Sequence, residues 1–122
     1  TNQPDIAQGH TTVEVVLELH KAISRETGLQ NFYICSHDDK NQCECRKPNI
    51  GLFREAARDL DLDVSKSFIV GDRWKDIEAG QRAGCKCFFI DNNYSEQRPT
   101  PPYHIVASLL EAATIIVESV NA

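Results

Sequence analysis

The stretch that decides the fold reads SFIVGDRWKDI and spans residues 67–77. Ser67 to Val70 form a short, mostly apolar run that stops at Gly71, which predicts a buried strand. A helix is predicted to follow over about Lys75 to Ala83. Asp72 therefore lies just beyond the carboxyl end of a strand, which is where open α/β sheets bind their ligands.

The same alternation of strand and helix continues on both sides of this stretch. Further strands are predicted at Asn31–Cys35, Cys85–Asp91 and His104–Val106, with a surface loop over Asn92–Pro102. Three further helices are predicted. The first spans Thr11–Thr27 and begins with a capping box of Thr11 and Glu14; the second follows Pro48; the third follows a capping box of Ser108 and Glu111. The strands are continuously apolar, so we predict one α/β domain over 1–122, with a parallel sheet covered by helices on both faces.

Composition narrows the classes of partner. The chain has 122 residues with a net charge of -5 and no basic block, so nucleic acid is not an expected partner. Its longest apolar runs fall far short of the roughly 18 residues that a membrane span needs. No signal segment opens the chain, which favours the cytosol.

The chain has no methionine and begins with Thr-Asn-Gln-Pro, so we expect it to be a fragment of a longer protein.

A cluster of soft ligands lies between Cys35 and Cys45. The pattern Cys35-x-His37-x5-Cys43-x-Cys45 places three thiols and one imidazole within eleven residues. These donors suit a tetrahedral zinc, and with all four positions filled by protein the ion would be structural. The alternative is a set of disulfides, which the close spacing of Cys43 and Cys45 and the absence of any sign of an oxidising compartment disfavour. The other two cysteines, Cys85 and Cys87, are predicted to pack in the core.

Charged residues beside these features indicate an anion site. Arg46 and Lys47 directly follow the cysteine cluster and are kept out of a helix by Pro48, although a solvated surface pair is the alternative. The Asp72 carboxylate suits Mg²⁺, which prefers oxygen ligands. Asp76 either holds a water of that metal or simply begins the helix, and the sequence favours neither.

Three segments resemble one family. They read Thr-Asn-Gln-x-x-Ile-Ala-x-Gly at 1–9, Cys-x-His-x5-Cys-x-Cys-Arg-Lys-Pro at 35–48, and Val-Gly-Asp-Arg-x-x-Asp-Ile at 70–77. Together they resemble the haloacid dehalogenase (HAD) superfamily of phosphatases, in particular its zinc-loop branch. The resemblance covers nearly the whole chain and implies a Rossmann-like HAD fold.

The resemblance also implies a reaction and roles in it. In this family a strand-end Asp attacks a phosphomonoester, and water then hydrolyses the aspartyl-phosphate, with Mg²⁺ bound between carboxylates and phosphate. Thr1 would match the hydroxyl that bonds the transferring phosphoryl group, and Lys47 the cation that neutralises its charge. Asp72 would match the acidic magnesium ligand. Substrate contacts would come from Asn2, Gln3, Arg46 and Arg73.

The chain departs from the family pattern in two places. No Asp-x-Asp-Gly-Thr motif, which carries the family's nucleophile and general acid, occurs among the 122 residues. The sequence therefore predicts a chain that lacks the catalytic strand and is inactive by itself. Pro4-Asp5 stands where the family usually has Ser-Gly, which affects the expected contacts to the substrate's sugar.

Three functions follow as hypotheses. The expected substrate of the parent protein is D-glycero-D-manno-heptose 1,7-bisphosphate, with histidinol phosphate as the alternative. A non-catalytic, zinc-stapled binding module is the third. We expect the parent protein to be a monomer, and strand exchange with a second chain is possible for this fragment, because a missing central strand would leave unpaired edges.

Overall fold

The computed structural model describes all residues from 1 to 122 and contains two compact units, Thr1–Arg46 and Lys47–Ala122. The first unit contains helices α1 (Pro4–Ala7) and α2 (Val13–Thr27) and a 3₁₀ turn at Asp39–Asn41. The second contains α3 (Gly51–Leu60), a 3₁₀ turn at Val64–Lys66, β1 (Phe68–Gly71), α4 (Trp74–Ala83), β2 (Lys86–Ile90), β3 (His104–Val106) and α5 (Leu109–Val120). A single domain over 1–122 stays a prediction.

The second unit is built on a parallel sheet with the strand order β1-β2-β3. Phe68 pairs with Lys86, and Phe88 pairs with His104. Helix α4 connects β1 to β2, while the loop over residues 91–103 connects β2 to β3. The predicted α/β class with a parallel sheet is confirmed. All three predicted strands of this unit are also confirmed, and none of their predicted ends differs from the observed end by more than one residue.

Successive side chains of β2 point to opposite faces of the sheet and enter two separate cores. On one face, Ile77 of α4 packs with Cys87 and Phe89. On the other face, Phe88 packs with Val106 and with Ala112 of α5. Both faces of the sheet are therefore covered by helices, which explains why the strands are continuously apolar.

The first unit differs from the prediction at two points. Helix α2 is capped by Thr12, not by Thr11, because the Thr12 side chain accepts a hydrogen bond from the Val15 N–H at 3.3 Å. The predicted strand over 31–35 is also wrong, since only Cys35 pairs, in one isolated parallel bridge to Asn2. The pairing ends after Gln3 because helix α1 begins at Pro4, so the chain is no longer extended there.

None of the helices has both the length and the apolar character that a membrane span requires.

Helix α4 approaches the sheet so closely that Gly80 has no room for a side chain. A Cβ at Gly80 would lie 2.3 Å from Cγ2 of Ile69 and 2.9 Å from Sγ of Cys87. Glycine lowers helix stability at most positions, so its presence here follows from the packing of the helix on β1 and β2.

We expect Gly80→Ala to destabilise the chain by about 2 kcal/mol, because the added methyl overpacks the interface between helix and sheet. The free energy of unfolding from urea titration measures this. At a helix position with room for a side chain, Gly→Ala stabilises by about 0.5 to 1 kcal/mol. The sign of the change in unfolding free energy therefore shows whether Gly80 is tightly packed. Arg54→Ala, at an exposed position of α3, is the control and should leave stability within about 0.5 kcal/mol of wild type.

Candidate functional site

The first unit brings the three predicted thiols and the predicted imidazole together. The ligand atoms of Cys35, His37, Cys43 and Cys45 all lie within 4.8 Å of one another. Cys35 Sγ lies 3.6 Å from both His37 Nδ1 and Cys43 Sγ, and Cys45 Sγ lies 3.2 Å from His37 Nδ1. A tetrahedral zinc with four such ligands has donor–donor edges of about 3.5 to 3.8 Å, so the donor set fits that ion.

The sulfurs are not bonded to one another. All five cysteines are free thiols, and the thiol of Cys45 lies 3.0 Å from Cys35 Sγ, well beyond the S–S bond length of about 2.05 Å. Cys35 is completely buried, while Cys43 and Cys45 are partly exposed. The structure therefore contains no disulfide among these cysteines, contrary to the disulfide alternative.

The crowded thiols perturb one another's ionisation. Burial acts to raise the pKa of Cys43, but hydrogen bonds from the Arg46 backbone and from the Cys35 and Cys45 thiols outweigh it and lower the pKa to about 7. Burial, together with interactions with Cys35 and Cys43, raises the pKa of Cys45 to about 12. The thiolate form is thus favoured at Cys43 and disfavoured at Cys45. A bound cation would favour the thiolate form of all three cysteines.

The loop between the ligands is held by its own polar side chains. Asp38 caps the turn Asp39–Asn41 by accepting from the Lys40 N–H at 2.9 Å, and Asn41 Oδ1 accepts from the Asp38 N–H at the same distance. Gln42 then has a positive φ of 49°, which reverses the chain toward Cys43. The loop contains almost no apolar residue, so these bonds and the cysteine cluster are what order it.

Arg46 ends the first unit with an incompletely satisfied guanidinium. Its side chain is only 15% exposed, and its Nε donates to Asp39 Oδ1 at 2.6 Å. Its Nη1 is buried and has no hydrogen-bond partner. A buried N–H without an acceptor costs about 1 to 3 kcal/mol, so Arg46 is suited to bind an additional acceptor such as a phosphate oxygen.

The second unit begins with Lys47, which pairs with Asp76 of α4. Lys47 Nζ lies 2.5 Å from Asp76 Oδ1, and the two side chains are 15% and 12% exposed. Asp76 Oδ2 also accepts from the Arg73 N–H at 3.2 Å, at the start of α4. Of the two roles left open for Asp76, the structure shows the helix-starting one, with the Lys47 ion pair in addition.

This arrangement depends on Gly71 at the end of β1. A Cβ at Gly71 would lie 2.4 Å from the Cβ of Asp76 and 2.6 Å from its Oδ2. Only glycine therefore allows the Asp76 carboxylate to lie against the end of the strand. The sequence feature Val-Gly-Asp that ends β1 thus serves both the fold and the position of the charged side chains.

Asp72 follows Gly71 at the carboxyl end of β1, as predicted. Its Oδ2 accepts from the Tyr94 hydroxyl at 2.8 Å and is 3.4 Å from the Asn92 side-chain nitrogen. Sequence reasoning missed both partners, which belong to the loop after β2. The sequence indicated only the loop and not the residues, because the carboxyl ends of neighbouring parallel strands meet at one edge of a sheet.

Arg73 is held by an acidic residue of the same loop. Its Nε and Nη2 each donate to one carboxylate oxygen of Glu96 at 2.7 Å, and its guanidinium lies 5.5 Å from the centre of the Tyr94 ring. These contacts were not predicted either. Arg73 thus has its strongest donor pair already engaged, so a substrate would compete with Glu96 for it.

The three residues at the start of the chain lie in the first unit beside Cys35. The Cys35 N–H donates to the Thr1 carbonyl at 2.9 Å, and the Gln3 N–H donates to the Cys35 carbonyl at 2.8 Å. Thr1 Oγ1 accepts from the Gln3 side-chain amide at 3.1 Å. These bonds tie Thr1, Asn2 and Gln3 to the first zinc-loop ligand, and the predicted roles of their side chains stay predictions.

Cys85 and Cys87 are separate from the cysteine cluster of the first unit. Cys87 is 4% exposed in the core between α4 and the sheet, and burial raises its pKa to about 11. Cys85 is only partly buried, and its pKa is also raised by burial.

The fold and the motifs define a class of protein. A family model described as HAD-hydrolase-like matches residues 44–112, more than half of the chain. The chain therefore belongs to the HAD-hydrolase-like family, as the sequence motifs predicted, and its Cys/His cluster fits the zinc loop of one branch.

Curated relatives carry more specific names. The chain is 34% identical over 98 residues to a D-glycero-beta-D-manno-heptose-1,7-bisphosphate 7-phosphatase of Haemophilus ducreyi, covering 70% of this chain and 54% of the relative. It is 29% identical over 113 residues to a D-glycero-alpha-D-manno-heptose-1,7-bisphosphate 7-phosphatase of Photorhabdus laumondii, covering 82% and 62%. The chain thus spans a little more than half the length of the curated relatives it matches.

Solved structures share the fold. The D,D-heptose 1,7-bisphosphate phosphatase of Bordetella bronchiseptica, solved with magnesium and phosphate, superposes with a TM-score of 0.87 at 23% identity, over 98% of this chain and 72% of that one. A HAD-like phosphatase from Mesorhizobium loti superposes with a TM-score of 0.73 at 27% identity, over 96% and 62%.

We expect the chain purified without chelator to contain about one equivalent of zinc, because the four donors close a tetrahedron of the right size. Elemental analysis by mass spectrometry measures this. Cys43→Ser should lower the zinc content at least about tenfold, because it replaces a thiolate ligand with a poor one. Cys85→Ser, a cysteine outside the cluster, is the matched control and should keep its zinc. Zinc retained equally by both variants would contradict the assignment of Cys43.

We expect Glu96 to titrate below the ordinary glutamate pKa, because the hydrogen bonds from Arg73 favour its carboxylate. The Arg73–Glu96 pair therefore stabilises the folded loop at any pH above the ordinary glutamate pKa. This stabilisation is lost as the pH falls through the lowered pKa of Glu96. A ¹³C NMR titration of the Glu96 carboxyl carbon measures the shift. Arg73→Gln should return the pKa to the ordinary range, and an unchanged pKa in that variant would refute the pairing.

Proposed function

We propose that this chain is part of a Mg²⁺-dependent phosphomonoester hydrolase that acts on D-glycero-D-manno-heptose 1,7-bisphosphate. The observation that carries the proposal is the carboxyl end of β1, where Asp72 follows the strand and Lys47 is held beside it by buried Asp76. The names of the curated relatives support the phosphatase activity and the heptose substrate. We further propose a cytoplasmic, monomeric parent protein.

The proposed chemistry of the second unit rests on its own charged side chains. Asp72 would hold the Mg²⁺, which supplies positive charge to the phosphate oxygens when bound. Lys47 would stabilise the charge that develops on the transferring phosphoryl group. Asp76 keeps the Lys47 ammonium in position through their buried ion pair. Arg73 would contact the substrate once Glu96 is displaced.

Residues of the first unit are proposed to act on the substrate as the family resemblance implies. The Thr1 hydroxyl would bond the phosphoryl oxygens, while Asn2, Gln3 and Arg46 would contact the rest of the substrate. Arg46 has the most direct support, because its buried Nη1 has no acceptor in the protein. A zinc ion held by the cysteine cluster would be structural, since four protein ligands leave no position for water.

The nucleophile is proposed to lie outside these 122 residues. The resemblance assigns it to an Asp-x-Asp-Gly-Thr motif, which does not occur in the sequence. The run Asp59-x-Asp61-x-Asp63 lies around the end of α3 and not at the end of a strand. We therefore propose that the chain by itself is inactive and that turnover requires the strand that carries this motif.

Two other functions are kept as candidates. Histidinol phosphate remains an alternative substrate, although the relatives reported above carry heptose names. The other candidate is a non-catalytic zinc-stapled binding module, which would be favoured only if the whole protein lacked the Asp-x-Asp-Gly-Thr strand. Assays of both phosphate esters with a protein that carries an Asp-x-Asp strand before Thr1 distinguish all three, because a binding module hydrolyses neither ester.

In that longer protein we expect Asp72→Asn to abolish Mg²⁺-dependent turnover, because the amide is a weaker ligand for the cation. We expect Lys47→Ala to raise the barrier by about 3 kcal/mol, which lowers kcat/KM by about two orders of magnitude. Steady-state phosphate release measures both effects.

Asp76→Asn is the matched control for Lys47→Ala, since both substitutions break the same ion pair and only one removes the cation. Equal losses in the two variants would show that Lys47 acts only through structure. Zinc content should be unchanged in all three variants. Wild-type turnover in Asp72→Asn would exclude that residue from the metal site.

A further inference from the structure

A concave surface of the first unit contains none of the four cysteine-cluster ligands. It is an open groove of about 550 Å³ between helix α2 and the segment that follows it. This volume is within the range of small-molecule sites, about 300 to 1,000 Å³. The lining residues that bear on binding are Leu17, His20, Lys21, Arg25, Phe32 and Ile34.

One wall of the groove contains a buried, unsatisfied polar group. His20 is 8% exposed, and its ring stacks on Phe32 with the ring centroids 4.3 Å apart and an interplanar angle of 15°. Its Nδ1 is buried and has no hydrogen-bond partner. A buried nitrogen in that state costs about 1 to 3 kcal/mol. Because Nδ1 has no exposed surface, the part of His20 that lines the groove is its ring.

The rim of the groove is cationic. Arg25 has no ion-pair partner, whereas Lys21 pairs with Glu18 at 3.1 Å, with both side chains largely exposed. The rim therefore offers about one uncompensated positive charge, in a guanidinium that binds carboxylates through two parallel hydrogen bonds. A monoanion matches this charge better than a phosphate dianion does.

The remaining surface of the groove is apolar. Leu17, Phe32 and Ile34 contribute side chains that an aliphatic or aromatic group can cover. The groove thus combines an apolar floor, one guanidinium and an imidazole, and these three features select a ligand with an apolar body and one acidic end.

We propose that this groove is a second binding site, which takes a small amphipathic carboxylate. The carboxylate binds Arg25, and the apolar body covers Phe32 and Ile34 next to the His20 ring. The proposal does not depend on the phosphatase function, because none of these residues belongs to the candidate site described above.

The test uses three probes that separate the two halves of the ligand. These are 3-phenylpropionate, propionate as the acid without the ring, and 3-phenylpropan-1-ol as the ring without the acid. ¹H–¹⁵N NMR spectra of the 122-residue chain are recorded during titration with each probe. We expect 3-phenylpropionate to shift amides of residues 17–34 with a Kd of about 1 mM, and each truncated probe to bind at least about tenfold more weakly.

Two variants assign the contacts. Arg25→Gln should weaken 3-phenylpropionate at least about tenfold, whereas Arg54→Gln, an exposed arginine outside the groove, should leave its Kd unchanged. His20→Phe keeps a stacked ring while removing both nitrogens, and it should change the Kd by less than about threefold, because the ligand's apolar body contacts the ring and not its nitrogens. If His20→Phe does not fold, Arg25→Gln decides the assignment.

Several results would overturn the proposal. These are no shift below about 10 mM 3-phenylpropionate, shifts outside residues 17–34 only, equal binding of the acid and the alcohol, or an unchanged Kd in Arg25→Gln. Equal binding of acid and alcohol would mean that the groove adsorbs any apolar molecule.

Discussion

The close approach of helix α4 to strand β1 is the constraint on which the second unit depends. Gly71 and Gly80 make it possible, because a Cβ at either position would lie within 2.4 Å of a neighbouring side chain. The approach seals the core around Ile77 and brings Asp76 against the end of the strand. From there Asp76 reaches Lys47, 29 residues earlier in the chain, so one packing contact fixes both the fold and the position of the main cation.

The sequence predicted the elements of the second unit well because each has a strong local signal. β3 was predicted to the residue, and α5 begins after Ser108, whose side chain accepts from the Glu111 N–H at 3.0 Å. The segment at 31–35 was predicted as a strand from its β-prone residues, yet a strand exists only where a partner backbone runs beside it. The partner backbone here is short: it supplies the Asn2–Cys35 bridge and the bond from the Thr1 amine to the Tyr33 carbonyl at 2.6 Å, so the local signal was not sufficient.

The candidate site shows the same limit. The cysteine cluster could be predicted because all its ligands lie within one short, patterned segment, and the structure brings their donor atoms within 4.8 Å. The partners of Asp72 and Arg73 could not be assigned in this way, because Tyr94 and Glu96 lie more than 20 residues away in an irregular loop. Loop conformation depends on tertiary contacts, and no periodicity in sequence reports it.

The charges at the carboxyl end of β1 bear on what this edge can bind. Lys47 and Arg73 supply two positive charges, while Asp72, Asp76 and Glu96 supply three negative ones, and both cations are paired with acids. These pairs weaken the attraction of this edge for a phosphate dianion, since the charges of Lys47 and Arg73 are each offset by a carboxylate at 2.5 to 2.7 Å. A divalent cation bound at Asp72 would add two positive charges to this edge. The Asp72 carboxylate accepts hydrogen bonds only from one hydroxyl at 2.8 Å and one weakly bonded amide at 3.4 Å, so it could still act as a ligand. The ion pairs fix the cationic side chains in place but offset their charges, and this supports the proposed use of a metal ion at this edge.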